Sequence, residues 1–276
     1  MAITAAQVNE LRQKTGVGLM DCKKALVAAN GDMEAAMENL RKSGIAKADK
    51  KAGRAANDGL FVSIIDGKVA VAVEVLCETD FVARTDDFQK LAADIAKTAL
   101  ALDAEGDISA ALNEKCGEAV KVLIGKLGEN MQIRRAVRWT TNGAFRTYKH
   151  HQGGPFYGVL VDVEGEYNDE LLDNLCMHIT ANAPAYIAPK DVPAEIIEHE
   201  KEIAKALPDI QEKIKKVPNP EKMLAGILNG KINKWYSQVC LLEQPWIDDE
   251  KTTLSKVAPK LVVKRFIRWT VGEEIK

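Results

Sequence analysis

Leu60-Phe-Val-Ser-Ile-Ile65, then Asp66-Gly-Lys68, then Val69-Ala-Val-Ala-Val-Glu-Val-Leu76: two β-branched runs meet at an Asp-Gly pair. That pattern predicts two antiparallel strands joined by a tight turn. Directly after the second run comes Cys77-Glu-Thr-Asp-Phe-Val-Ala-Arg-Thr-Asp-Asp-Phe88. It opens an amphipathic stretch with Phe88, Leu91, Ala92, Ile95 and Ala99 on one helical face. The junction is a strand-to-helix corner carrying an acid, Asp80, and an aromatic, Phe81. Such corners project side chains from a rigid scaffold. Asp80 near a helix start also suits a capping or dipole-stabilised role. Phe81 precedes Phe88 by two helical turns, so the spacing admits Phe81 either as core or as an exposed group.

Working outward, a second helical stretch spans about residues 108–127, Gly128 stops it, and a strand follows from Gln132 to Thr140. The same plan then recurs. Strands are expected at Ala144–His150 and Tyr157–Val163, around a Gly153-Gly154-Pro155 turn, with a helix from about Asn168 to Ala183 and a last strand at Val262–Val271. The closing strands share letters, Arg135-Ala-Val-Arg-Trp-Thr140 and Arg265-Phe-Ile-Arg-Trp-Thr270. The fold class is therefore α+β, with two related subdomains, each an antiparallel sheet covered by helices: residues 55–141 and 142–276. Within the second, residues 192–237 read as an inserted helical hairpin, too polar to be buried and punctuated by Pro208, Pro218 and Pro220. Residues 1–43 predict three short helices: Thr4 and Gln7 form a capping box, and Gly16 ends the first. Arg12, Leu19 and Met20 sit near the ends of the first two, as contacts or as core. Residues 44–58 are basic, Ala-rich and short of large apolar groups, which reads as a partly helical linker closing a module of residues 1–54.

The 276 residues carry a formal net charge of −2, 46% hydrophobic and 28% charged residues. That balance fits a soluble globular protein and gives no global field toward nucleic acid or membrane. No apolar run approaches the roughly 18 residues of a membrane span. The N-terminus lacks the features of a signal peptide. Five scattered cysteines suit reduced, packed thiols in a cytoplasmic protein. There is no phosphate-binding Gly-x-x-x-x-Gly-Lys-Ser/Thr loop, no nucleophile elbow and no His-Glu-x-x-His motif. His150 and His151 adjoin on a strand and point opposite ways. Cys176 and His178 do not share a helix face. No metal, no cofactor and no covalent chemistry are expected, so the surface candidates become the interest.

Those candidates lie within motifs that resemble a known family, bacterial-type elongation factor Ts. The motifs are Thr15-Gly-Val-Gly-Leu-Met-Asp-Cys-Lys-Lys-Ala-Leu26, Thr79-Asp-Phe-Val-Ala83, Gly128-Glu-Asn130 with Arg134-Arg135, Met177-His178, Val239-Cys-Leu-Leu-Glu-Gln-Pro-Trp246 and Val271-Gly272-Glu273. The resemblance runs from end to end. It implies a guanine-nucleotide exchange factor for the translation GTPase elongation factor Tu, binding the GDP-bound and nucleotide-free partner. It implies a ubiquitin-associated-like module at residues 1–54, and no direct contact with nucleic acid or membrane; a 2:2 assembly is left open. It further implies that Asp80 and Phe81 enter the partner's GTPase domain, Phe81 as a wedge that disturbs the Mg²⁺ and β-phosphate region, with Thr79 and Val82 among the partner-binding residues. Arg12, Leu19 and Met20 would approach the nucleotide's base side. His150, in Tyr148-Lys149-His150, would face the GTPase core. The run His151-Gln-Gly-Gly-Pro-Phe156 is longer than the usual turn there. Two other readings are a peptide- or ubiquitin-type binding module, from residues 1–43 alone, and an enzyme with a site between the subdomains.

Overall fold

A computed structural model describes residues 3–151, 156–215 and 218–275; the expected Gly153-Gly154-Pro155 turn lies outside them. The chain divides into two compact units. One comprises Met1–Thr141, Lys149–Gly158 and Trp269–Lys276, and the other Asn142–Tyr148 and Val159–Arg268.

The first unit opens with α1 (Ala5–Thr15), α2 (Leu19–Ala28) and α3 (Met33–Lys51). The Thr4–Gln7 capping box is present, Gly16 closes α1 in the left-handed region, and Asp32 caps α3 by accepting from the Ala35 amide. Val8, Leu11, Cys22, Ala25, Leu26 and Ala36 form the small core of these helices. The stretch read as a partly helical linker is helical through Lys51, and that part packs as the end of α3. Its buried residues are small, Gly44 and Ala48, four apart on one face. A Cβ on Gly125 would come 2.5 Å from the Gly44 Cα, so the helix bearing Gly125 touches α3 backbone to backbone. Small residues at that spacing mark a close helix crossing, and the absence of bulky apolar groups disguises it as a linker.

Next come β1 (Asp58–Asp66), β2 (Val69–Cys77), the one-turn α4 (Asp80–Ala83), α5 (Asp86–Leu100), a two-residue β3 (Gly106–Asp107), α6 (Ser109–Leu127) and β4 (Met131–Thr140). The sheet order is β1-β2-β4-β3, with antiparallel pairing throughout. Val71, Val73, Val75 and Cys77 line one face of β2, as a two-residue period requires. They pack with Phe88, Ala92, Ile95, Ala96 and Ala99 of α5 and with Leu112, Val120 and Ile124 of α6. Burying Phe88 or Ile95 contributes about 1.5–3 kcal/mol each. The register shifts between Glu74 and Val75 because Arg134 is an extra residue on β4. Such a bulge sets two residues against one. Here both Arg134 and Arg135 reach the fully buried Glu74, at 3.7 and 2.6 Å. The chain's last turn closes on the same group: the Gly272 amide donates to Glu74 at 3.0 Å and Arg135 pairs with Glu273 at 2.8 Å. The Arg135 guanidinium also lies 4.5 Å from the Trp269 ring centroid.

The second unit holds most of β5 (Ala144–His150), β6 (Tyr157–Gly165) and, after the helices, β7 (Leu261–Thr270), which form a sheet in the order β5-β6-β7; Lys149, His150, Tyr157, Gly158, Trp269 and Thr270 at the strand ends count with the first unit. A hairpin followed by a closing strand beside its second member repeats the order β1-β2-β4. A buried acid on the central strand recurs as well: Asp162, 3% exposed, accepts from Arg265 at 3.0 Å. Arg135 and Arg265 thus occupy matching positions in sequence and in chemistry. Between β6 and β7 lie α7 (Asp169–Asn182), α8 (Ala194–Ala206), α9 (Pro208–Lys215), α10 (Pro220–Val239) and α11 (Leu254–Val257). Pro208 and Pro220 each occupy the first position of a helix, where a missing N–H costs nothing. The expected hairpin is therefore three helices, broken at its prolines.

His178 of α7 is fully buried, its ring stacked on Trp246 at 5.1 Å. Nε2 is 3.0 Å from Gln244 Oε1 and Nδ1 is 3.1 Å from Asn182 Nδ2. A neutral ring, donating through Nε2 and accepting at Nδ1, satisfies both contacts. Burial lowers its pKa below the ordinary histidine value, and the Gln244 bond only partly offsets this.

Two predictions follow from this packing. Gly125→Ala lowers unfolding stability by about 1–3 kcal/mol through the helix clash. Gly117→Ala, on the same helix with nothing within 4 Å of the added methyl, raises it by up to about 1 kcal/mol; urea unfolding of both variants checks the contrast. His178 binds its proton less readily folded than unfolded, so its contribution to stability is complete above the unfolded value near 6.5 and is lost as pH falls below it. The slope reaches at most about 1.4 kcal/mol per pH unit. Melting curves from pH 8 to 5 should show the decline, and His178→Gln should flatten it.

Candidate functional site: an exposed phenylalanine on a clamped corner

The corner after β2 is built by two threonine caps. Thr79 has an extended backbone and accepts from the Val82 amide, starting α4. Thr85 accepts from the Phe88 amide, starting α5, and its hydroxyl donates back to the Val82 carbonyl at 2.7 Å. The two helices are thus separate turns with separate axes, and the seven-residue spacing of Phe81 and Phe88 loses its meaning. Phe88 is buried, whereas Phe81 is 79% exposed, the most exposed of the large apolar side chains described. Within α4, Ala83 and Val82 turn toward the core cluster. Phe81, half-exposed Asp80 and exposed Arg84 turn outward, Arg84 pairing with Asp80 at 2.9 Å. A large apolar side chain left bare on a well-packed scaffold is the kind of exposure that asks for a partner.

Across the end of the β2–β4 pair, two carboxylates cross over. The pairing Cys77↔Met131 sets the residues after β2 opposite those before β4. Glu129 accepts from the Thr79 amide at 3.0 Å and from its hydroxyl at 2.6 Å. In return, Glu78 accepts from the Asn130 amide at 2.7 Å, which with nearby Arg54 holds its carboxyl below the usual range. Asn130, buried, donates to the Arg54 carbonyl at 2.7 Å, and Lys51 donates to the Gly128 carbonyl. The Cys77 thiol lies against the Thr79 carbonyl at 3.1 Å, and burial pushes its pKa up to about 12, so it is inert.

All eight expected contact residues fall within the first unit. Thr79, Asp80, Phe81 and Val82 share one turn. Arg12, Leu19 and Met20 are exposed on α1 and at the start of α2, Leu19 at 43% and Met20 at 62%. His150 ends β5, half-buried, its ring 6.3 Å from that of Tyr157. Sequence reasoning assigned no role to Glu78, Glu129, Asn130 or Arg84. The pairing register that brings Glu78 to Asn130 was the missing signal.

Phe81 projects into solvent from α4. A cavity of about 420 Å³ lies beside it, with Asp58, Asp80, Arg84, Gln89, His151 and Phe156 in its wall; of its two acids, Asp80 is paired with Arg84. A larger cavity of about 610 Å³ is lined by Val17, Met37, Leu40, Leu91 and Val122 among others. Its Asp87 is paired with Lys126 at 2.8 Å. Among the described residues no group of three or more His, Cys, Asp or Glu is arranged to hold a metal ion. No described helix is long and apolar enough to cross a membrane.

The sequence model of the family described as Elongation factor TS matches residues 78–273. Over its whole length the chain is similar to the Elongation factor Ts of Thioalkalivibrio sulfidiphilus, at 41% identity and covering 94% of that protein. It is 40% identical to that of Halothermothrix orenii, again over 100% of this chain and 94% of the relative. For that of Alkalilimnicola ehrlichii the values are 38%, 99% and 93%. End-to-end similarity at this level, with the Thr79–Ala83 and Gly128–Asn130 motifs assembled into one corner, places the chain: it belongs to the elongation factor Ts family.

Proposed function

We propose that this chain acts in translation elongation as a guanine-nucleotide exchange factor for elongation factor Tu, and that Phe81 is the group that enters the partner. The observation carrying the proposal is a phenylalanine 79% exposed on a turn held at its start by Glu129 on Thr79 and at its end by the Thr85 hydroxyl on the Val82 carbonyl. Asp80, paired with Arg84 on the same turn, would meet polar groups beside the phenylalanine pocket. Arg12, Leu19 and Met20 would add a second contact near the nucleotide's base side, and His150 a third.

The mechanism is thermodynamic linkage and makes or breaks no covalent bond. A wedge that fits only the partner's loosened nucleotide site shifts the partner toward that state. If the factor weakens GDP binding by a given ratio, GDP weakens factor binding by the same ratio. The factor therefore turns over, leaving once a nucleotide rebinds. The site that Phe81 would loosen is the Mg²⁺ and β-phosphate region of the partner. The work takes place in the cytoplasm, where translation needs it.

Substoichiometric amounts of the chain should accelerate GDP release from elongation factor Tu. Phe81→Ala should lose most of that acceleration while its melting temperature stays within about 2 °C, because the side chain is outside the core. Phe88→Ala, by contrast, should cost about 3–5 kcal/mol of stability. A fluorescent GDP release assay paired with calorimetry on both variants decides the matter. Full exchange activity in Phe81→Ala, or a melting loss like that of Phe88→Ala, would contradict the proposal.

A further inference from the structure

We infer that Glu129 is the positioning residue of the exchange site: it touches no partner and sets the direction in which Phe81 points. This rests on the reading of Phe81 as the entering group. A single helical turn has too few internal hydrogen bonds to hold itself. α4 is one such turn, and the residue that starts it, Thr79, is fixed from outside by two bonds to one carboxylate. Bonds to an ionised acceptor are the stronger kind, and a pair from one carboxylate fixes direction as well as distance.

The anchor is itself anchored. Glu129 sits in the three-residue run Gly128–Asn130 between α6 and β4. Gly128 takes the left-handed conformation (φ +86°) that lets α6 stop and the chain turn toward β4. Asn130 is held by Glu78 on one side and by the Arg54 carbonyl on the other, and the Gly128 carbonyl is held by Lys51. Lys51 ends α3, the helix that begins in the module bearing Arg12, Leu19 and Met20. One short run thus ties the Phe81 turn and the end of α3 to the same strand. Thr79 also spends its hydroxyl proton on Glu129 while its oxygen accepts from Val82. The cap of α4 and the clamp are therefore a single group, and removing the carboxylate loosens the turn at its first residue.

The test is a double-mutant cycle on the full-length chain, read as release of a fluorescent GDP analogue from elongation factor Tu across a range of factor concentrations. Glu129→Ala should lower the maximal release rate about tenfold, the scale of one lost bond to a charged acceptor, with the half-saturating concentration changed less than about threefold. Glu129→Gln, which keeps one acceptor oxygen, should fall between Glu129→Ala and the parent. In a Phe81→Ala background, Glu129→Ala should cost almost nothing more, because its effect passes through Phe81. A residue needed only for folding would multiply the losses and would lower the melting temperature in step with activity. Parental maximal rate in Glu129→Ala, or multiplying losses in the double variant, overturns the positioning role. If Phe81→Ala is slow and Glu129→Ala is not, the positioning role falls and the wedge stands; if neither variant is slow, both fall. Should Glu129→Ala fail to fold, Glu129→Gln carries the same cycle.

Discussion

Two carboxylates exchanged across the end of one strand pair hold the part of this molecule that faces outward. Glu78 reaches from the end of β2 to the Asn130 amide, and Glu129 reaches from the start of β4 to Thr79. A phenylalanine on a single turn would otherwise fold back onto the nearest apolar surface, since exposing it forfeits the gain from burial. The turn holds because its first residue is bonded to a sheet whose core is closed beneath it by α5 and α6. Exposure of Phe81 and burial of Phe88 are two sides of one arrangement, with Thr85 as the break between them.

The family's sequence signatures assemble in the same manner, as halves that complete each other in space. Thr79–Ala83 meets Gly128–Asn130. Arg134-Arg135 meets Val271-Gly272-Glu273 around buried Glu74. Met177-His178 meets Gln244-Pro245-Trp246 through a ring stack and a shared hydrogen bond. The second and third meetings bury groups that would be costly alone, Glu74 and His178; removing one partner of a buried ion pair such as Glu74 with Arg135 typically costs about 3–5 kcal/mol. The acid-and-arginine pair occurs in both sheets, Glu74 with Arg135 and Asp162 with Arg265. The matching of the two closing strands therefore extends beyond their letters to the buried groups they hold.

Much of the architecture was legible because its signals are local. Asp66-Gly67 is a turn whatever surrounds it. Thr4 with Gln7 caps a helix, and alternating valines on β2 place one face inward. The features that stayed open or hidden depend on distant residues. The end of α3 lacks bulky apolar groups, and only its contact with Gly125 makes Gly44 and Ala48 a packed face. The spacing of Phe81 and Phe88 left both a shared face and an exposed Phe81 open, because nothing local announces that Thr85 starts a new axis. The Glu129 clamp was invisible for a related reason: it connects residues fifty positions apart through a strand register that the letters alone do not number. The exposed phenylalanine itself became readable from the family resemblance, before its surroundings did.

The central claim, that Phe81 stands in solvent and then enters a partner, is tested most directly by placing a single 4-fluorophenylalanine at position 81 and recording its ¹⁹F resonance while elongation factor Tu·GDP is added. The account predicts a sharp, solvent-exposed line in the free protein that moves and broadens in step with complex formation. A complex that forms while the line keeps its free position and width would contradict it.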